Sequence, residues 1–385
     1  MIDKVNGRAK SLSVPGIRVF ANEVAQYTDG INLTIGEPDF STPEPIKEAG
    51  MRAIRDNLTG YSHNAGLLPL RQSVSKFFNE KYNFHYDPVS EIVITIGASE
   101  GIDSVVRTIL EEGDEVIIPA PIYSAYEPLI HLIGAKVVYL DTSKTDFLPD
   151  PEQLEALITG KTKAIVLNYP SNPTGVTLPK EHMDKIVKVL ERHDVFVISD
   201  EIYSENTFFG QHHSFANYPE IREKLFLLHG VSKSHAMTGW RLGYVLGPAY
   251  LMEHVLKVHL YNAICASLPS QYAAIEALEN CRDTPKEMNA SYIERRDYVY
   301  NRLKGMGLEA IEPTGAFYIF PSIQGTKLTS QEFAQQLLDT EHVAVVPGSG
   351  FTQYGEGFIR ISYANSLENL TEGLDRIERF VNTLS

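Results

Sequence analysis

KAIVLNYPSNPTGVTLPKEHMDKIVKVLERHDVFVISD, residues 163–200, contains two short apolar runs with a helical stretch between them. KAIVLN (163–168) and DVFVISD (194–200) are almost continuously apolar near their centres, as expected of strands buried on both faces. LPKEHMDKIVKVLERH (178–193) has its apolar residues at helical spacing. Strand, helix, strand is the repeating unit of a parallel sheet covered by helices. The same kind of run recurs on either side: EIVITIG (91–97), DEVIIP (114–119), AKVVYL (135–140), LFLLHGV (225–231) and LGYVLG (242–247). The expected fold class is therefore α/β, a mostly parallel seven-stranded sheet sandwiched by helices. The last two runs are separated only by residues 232–241, too few for a helical crossover, so one of them is expected to run antiparallel.

After about residue 284 the pattern changes. A long helix (286–304) precedes LEAI (308–311) and AFYIF (316–320). A helix (330–339), HVAVV (342–346), FIRISY (358–363) and a terminal helix (366–383) follow. This describes a smaller α/β C-terminal domain, onto which residues 1–45 are expected to pack. The expected division is 46–284 for the large domain and 1–45 plus 285–385 for the small one.

The chain has 385 residues, 43% of them hydrophobic, enough for a substantial core. Net charge is 34 − 49 = −15, which argues against nucleic-acid binding through a general basic patch. No apolar leader and no stretch near about 20 apolar residues is visible, so no membrane partner and a cytoplasmic location are expected. Cys265 and Cys281 fit no CxxC or zinc spacing and read as small packed residues, consistent with a reducing compartment.

Open parallel sheets bind ligands at the carboxyl ends of their strands. Gly97-Ala98-Ser99-Glu100-Gly101 opens a helix there, either as an anion-binding nest or as an ordinary Ser-capped start. Tyr169-Pro170-Ser171-Asn172-Pro173-Thr174-Gly175 is a rigid turn, a turn alone or one that aims the Asn172 amide at a ligand; Asn172–Pro173 is expected to be cis. Asp200 ends an apolar strand, either capping a helix or meeting a positive partner. Lys233 follows LFLLHGV and Ser232, either as a surface lysine or as a partly desolvated amine of lowered pKa, nucleophilic toward a carbonyl. Arg241 adds a fork of donors. A phosphate nest, an amide, a carboxylate and an amine at successive strand ends together suit pyridoxal 5′-phosphate.

GVSKSHAMTGWRLG (230–243), YSHNAGLLPLR (61–71), GASEGI (97–102), YPSNPTG (169–175), SDEIY (199–203) and FIRISYA (358–364) resemble, in order, the motifs of the fold-type I, class I/II aminotransferases. The resemblance runs over essentially the whole chain. It implies that Lys233 holds pyridoxal 5′-phosphate as a Schiff base and acts in catalysis with Asp200 and Tyr203. Asp200 pairs with the ring nitrogen, and Asn172 and Tyr203 bond the phenolic oxygen. Ala98, Ser99, Ser232 and Arg241 take the phosphate, and Tyr123 stacks on the ring. Arg360 clamps the substrate carboxylate, with Gly36 and Asn172 beside it. Tyr61 reaches the phosphate of a neighbouring subunit, which implies a homodimer with shared sites. Substrates would be an amino acid and a 2-oxo acid.

Within the family, TIGEPDFSTPEPIKEA, VFVISDEIYSE and PTGAFYIFPSI are similar to the N-acetyl-L,L-diaminopimelate aminotransferases of lysine biosynthesis. Such a substrate has a distal carboxylate, for which Arg18 is a candidate cation, or else a surface arginine. Alternatives are an aspartate or aromatic amino acid aminotransferase, or a carbon–sulfur lyase using the same cofactor. A ligand-sensing domain of a transcription regulator would need an added DNA-binding module, and no basic helix-turn-helix segment is present. Gly305-Met306-Gly307-Leu308-Glu309-Ala310 loosely matches a dinucleotide motif but follows a helix, so a C-cap turn is expected. His212-His213 is expected to be a loop tip and not a metal site.

Overall fold

In the structure, a computed structural model, residues 1–13 and 16–384 are described; of Ile2, Ile17 and Arg18 only the backbone is. Twelve strands form among the described residues. They are β1 (Ile31–Asn32), β2 (Ile92–Thr95), β3 (Glu115–Ala120), β4 (Lys136–Asp141), β5 (Thr162–Asn168), β6 (Phe196–Asp200), β7 (Leu225–Gly230), β8 (Gly243–Leu246), β9 (Tyr318–Ile319), β10 (Val343–Ala344), β11 (Val346–Pro347) and β12 (Ile359–Ser362).

The main sheet has seven strands in the order β2-β8-β7-β6-β5-β3-β4. Only β8 runs against its neighbours, β2 and β7, as the short 232–241 connection required. Alternate side chains of each central strand pack on opposite faces of the sheet. Ile165, Leu167, Val197, Leu225 and Leu227 pack with Leu70, Met183, Ile186, Leu190 and Leu278 on one face. Val166, Ile198, Phe226, Leu228 and Val245 pack with Ile102, Val105, Met252 and Val255 on the other. That is why the runs are apolar on both parities: each side chain buried from water contributes about 1.5–3 kcal/mol whichever way it points. The helix read at 178–193 is Lys180–Glu191, led in by Pro179 at its N-cap.

Register aligns the strand ends. Asn168 lies beside Asp200, Asp200 beside Leu228, and Gly230 and Thr95 flank Gly243. Gly243 is the tight point. A β-carbon built there would come within 2.5 Å of the Ala98 nitrogen and 2.6 Å of the Gly97 carbonyl carbon. Gly243→Ala must therefore push the start of helix Gly97–Ile109 off the sheet. We expect a loss of roughly 1–3 kcal/mol in denaturant unfolding, the usual cost of overpacking.

The second core joins the two ends of the chain. Phe20, Val24 and Leu33 pack with Tyr292, Phe317, Tyr318, Leu337, Ile359 and Phe380. β1 pairs in parallel with β10, and β12 lies between β11 and β9. Two expectations need correction. LEAI (308–311) is not a strand; the chain is irregular from Leu308 to Thr314, and Leu308 serves only as a core contact. HVAVV does not make one strand: it divides at Val345, so that Val343–Ala344 pairs with β1 and Val346–Pro347 with β12. A single apolar run is shared between two sheets because both need an edge at that point.

The Gly305–Ala310 stretch is a helix end, with Met306 as C-cap and Gly307 at φ +77°. The loop-tip expectation fails for His212. Its side chain turns inward, and Nε2 lies 2.7 Å from Oε2 of the buried Glu201, whose other oxygen accepts from the Ser199 and Ser214 hydroxyls and the Phe215 N–H. Both cysteines are free and half-buried. Among the described residues, no helix is long and apolar enough to cross a membrane.

Candidate active site

The carboxyl ends of β5, β6 and β7 and the start of helix Gly97–Ile109 meet the second core at one cleft. The turn after β5 is built by three devices. Asn168 donates through Nδ2 to the Asp200 carbonyl (3.2 Å) and accepts through Oδ1 from the Asn172 N–H (3.2 Å). The peptide bonds before Pro170 and Pro173 are cis, as expected at the second. Gly175 has φ +73°, and its carbonyl accepts the Thr314 and Gly315 N–H groups at 2.9 Å each. The turn is thus locked onto the segment that leads into β9.

Asn172 consequently faces Arg360. Its Oδ1 accepts from Arg360 Nη1 at 2.8 Å, while Nη2 donates to the Thr34 carbonyl at 2.5 Å. Arg360 is 1% exposed and its guanidinium lies 4.4 Å from the Tyr318 ring centre and 5.0 Å from that of Phe351. Its Nε is buried with no hydrogen-bond partner. A cation fixed on two sides, desolvated, and holding one free N–H is suited to a carboxylate ligand.

Asp200 is buried at the end of β6. It accepts from the Tyr126 hydroxyl (2.6 Å) and the Ile202 N–H (3.1 Å). Burial pushes its pKa up, and the Tyr126 bond only partly opposes this. An ionised carboxylate there calls for a positively charged ligand. Tyr126 also packs edge-on to Tyr123, ring centres 5.7 Å apart. Tyr203 lies under Lys233, whose Nζ is 5.9 Å from its ring centre. The Tyr203 hydroxyl is 2.7 Å from that of Tyr318.

Lys233 is half-buried, and its amine donates to the Gly36 carbonyl at 2.6 Å. Burial lowers its pKa to about 8; Glu37 and Asp200 resist that fall while Arg241 and Arg360 add to it. A larger unprotonated fraction near neutrality makes this amine nucleophilic. Ser232 is buried beside it. Arg241 has φ +51° and donates to the Thr238 carbonyl (2.8 Å). Its guanidinium lies against Gly97: a β-carbon there would be 2.5 Å from Nη2. The helix that Gly97 opens is not Ser-capped. Ile96 is its N-cap and makes no side-chain cap bond. The N–H groups around Ala98 and Ser99, beside a guanidinium, are chemically suited to an anion.

Of the twelve site residues expected from the sequence, contacts join Gly36 to Lys233, Lys233 to Tyr203 and Asn172 to Arg360, and Tyr126 links Tyr123 to Asp200. Arg241 lies against Gly97, next to Ala98 and Ser99 in sequence, and Ser232 is buried next to Lys233. Tyr61 does not join them; it stands on the outer surface, 82% exposed. Thr34, Tyr126, Asn168, Phe351 and Tyr318 were missed. Tyr126 lies three residues after Tyr123 in PAPIYSAYEP, and Tyr318 lies within AFYIF, where an aromatic reads as core.

The family model for aminotransferase class I and II matches residues 28–377. A probable N-acetyl-LL-diaminopimelate aminotransferase of Bacillus subtilis is 51% identical, over 98% of this chain and 95% of that protein. Aromatic-amino-acid aminotransferase 2 of Thermococcus litoralis is 41% identical, over 93% of each. The solved structure of aspartate aminotransferase from Thermus thermophilus with maleate superposes with a TM-score of 0.92 at 33% identity, covering 97% of this chain and 99% of that one. Since motifs, cleft and fold agree from one end of the match to the other, the chain belongs to the class I and II aminotransferases.

Proposed function

We propose that this enzyme uses pyridoxal 5′-phosphate to move an amino group from N-acetyl-L,L-2,6-diaminopimelate to 2-oxoglutarate. The family is dependent on that cofactor, and the donor set fits it: an amine of lowered pKa, a buried carboxylate and an uncapped helix start beside Arg241. Lys233 would hold the aldehyde, Asp200 the ring nitrogen, and Asn172 and Tyr203 the phenolic oxygen. Ala98, Ser99, Ser232 and Arg241 would hold the phosphate, with Tyr123 against the ring. When bound, the cofactor supplies an electron sink for charge developing at the substrate α-carbon. Arg360, with its spare Nε, would bind the α-carboxylate and so orient the α C–H bond toward Lys233. Lys233, once free, takes and returns the proton.

Arg360→Ala should raise KM for the amino acid by roughly 10- to 200-fold, the 1.5–3 kcal/mol of a hydrogen bond to a charged group, with kcat less affected. Unchanged amino-acid affinity in steady-state kinetics would remove it from the site.

The same reading takes 46–284 as the cofactor-holding unit and 1–45 with 285–385 as the unit that closes on it, supported by the core that joins both chain ends. It also takes the enzyme as a homodimer. Tyr61 and Tyr261 (89% exposed) each leave a large aromatic side chain uncovered, and Asn64 Nδ2 donates to the Ile264 carbonyl at 3.0 Å, which brings the segments that follow them together.

The observation that carries the choice of donor is the 51% identity, sustained over nearly the whole chain, to the Bacillus protein. Aspartate or an aromatic amino acid is the second reading, favoured by the Thermococcus and Thermus proteins. The side chain of Arg18, expected to meet a distal carboxylate, lies outside the described residues. A panel of amino donors with 2-oxoglutarate decides between them. N-acetyl-diaminopimelate should give the highest kcat/KM; a higher value for aspartate or phenylalanine overturns the assignment. Release of ammonia and pyruvate from a cysteine conjugate would instead mark a lyase.

A further inference from the structure

The charges that act on the Lys233 amine are those of Glu37, Arg241, Arg360 and Asp200, and the amine lies over the Tyr203 ring. Three of the four charges have a ligand in the function proposed above: Arg241 a phosphate, Arg360 a carboxylate, Asp200 a ring nitrogen. Glu37 has none. It follows Gly36, whose carbonyl accepts from the Lys233 amine at 2.6 Å. Its own carboxylate accepts from the Thr238 hydroxyl at 2.9 Å. Thr238 is five residues beyond Lys233 in the same loop. The pair Gly36-Glu37 therefore grips that loop at two points, one on the reactive amine and one beside it. Once the other three charges are neutralised by their ligands, the carboxylate left facing the amine is that of Glu37.

We infer that Glu37 is a positioning residue for transamination, a tethered anion that stabilises the protonated amine of Lys233 while that amine is detached from the cofactor. The inference rests on the transamination reading and adds to it. In the step concerned, the Lys233 nitrogen lone pair takes the proton from the substrate α-carbon. The C–H electron pair stays on the carbon side, and the resulting ammonium later gives the proton back. A group that must both accept and return a proton works best when neither form is strongly disfavoured. Burial favours the neutral amine, and Glu37 is the counterweight.

The test reads Lys233 directly. The full-length protein, freed of cofactor, is acylated across a pH series, and modification of Lys233 is measured by mass spectrometry. Removing a negative charge disfavours the ammonium, so Glu37→Gln should move the half-point to lower pH, by roughly 0.2–0.7 unit because Glu37 is exposed and its charge is screened. Glu37→Asp should recover most of it. Thr238→Val, which keeps the carboxylate but frees it, should give a smaller shift of the same sign. In the loaded enzyme the acid limb of kcat against pH should move the same way in Glu37→Gln. Half-points that match wild type in both Glu37→Gln and Thr238→Val overturn the inference, even if kcat falls, because a mere clamp would lower activity without moving the titration. Loss of transamination's dependence on Lys233 would instead sink the reading beneath it.

Discussion

Lys233→Ala is expected to lower transamination by at least about 10²–10⁴-fold, the contribution of a positioned general acid–base group, and to abolish the visible absorbance of lysine-bound cofactor. The physical case starts from the strand before it. β7 is buried along its whole length and delivers the chain at Gly230, so that the next four residues turn over the cleft floor. Ser232 is buried, and the Lys233 side chain reaches across to Gly36. No other lysine stands among the groups described at the cleft. Alanine removes both the covalent anchor and the proton carrier. It takes away one hydrogen bond to a carbonyl, worth about 1.5–3 kcal/mol for a charged donor, so the fold should persist by circular dichroism. Turnover at the wild-type rate in Lys233→Ala would refute the assignment.

Asp200→Asn is expected to keep the cofactor but lower kcat by roughly 10²–10³-fold, the usual cost of removing one preorganised electrostatic partner. Asparagine retains the volume; its one oxygen can accept from the Ile202 N–H while its amide N–H donates to the Tyr126 oxygen, which reverses that bond. The charge goes, and with it the reason for a ring nitrogen to hold its proton. Stability should move in the opposite direction. Burial raises the Asp200 pKa in the folded chain, so its ionised form costs stability once pH exceeds the ordinary carboxylate value, and the full penalty is present above the raised folded value. The cofactor-free Asn variant should thus unfold at equal or higher denaturant than wild type at neutral pH, with the difference vanishing as pH falls below the carboxylate range. A near-normal kcat would show that the ring nitrogen needs no anion.

The seven-stranded sheet and its one reversed strand were legible because burial on both faces leaves strands such as LFLLHGV and KAIVLN almost free of polar residues, and because ten residues cannot carry a helical crossover. Lys233, Asp200 and Asn172 were legible because each stands at, or within four residues after, the carboxyl end of an apolar strand. Tyr126, Tyr318 and Thr34 were not. A tyrosine that donates to a buried aspartate and a tyrosine that fills a core look alike in a string of letters; the partner is 74 residues away for Tyr126. Thr34 acts through its backbone carbonyl, which every residue has. LEAI failed for the complementary reason: four residues of suitable composition have no ladder partner where they fall.

Local chemistry alone therefore determined the alternating strands and helices, the strand ends and the reactive groups placed on them, since hydrophobic periodicity and turn composition act over a few residues. Tertiary structure alone decided which partners those groups meet: Asn172 on Arg360, Tyr126 on Asp200, Gly36 on Lys233, and Glu201 on His212. Those contacts join residues 11 to 197 positions apart, and buried charges and hydrogen bonds of that kind are set by the register of the sheet and the meeting of two cores.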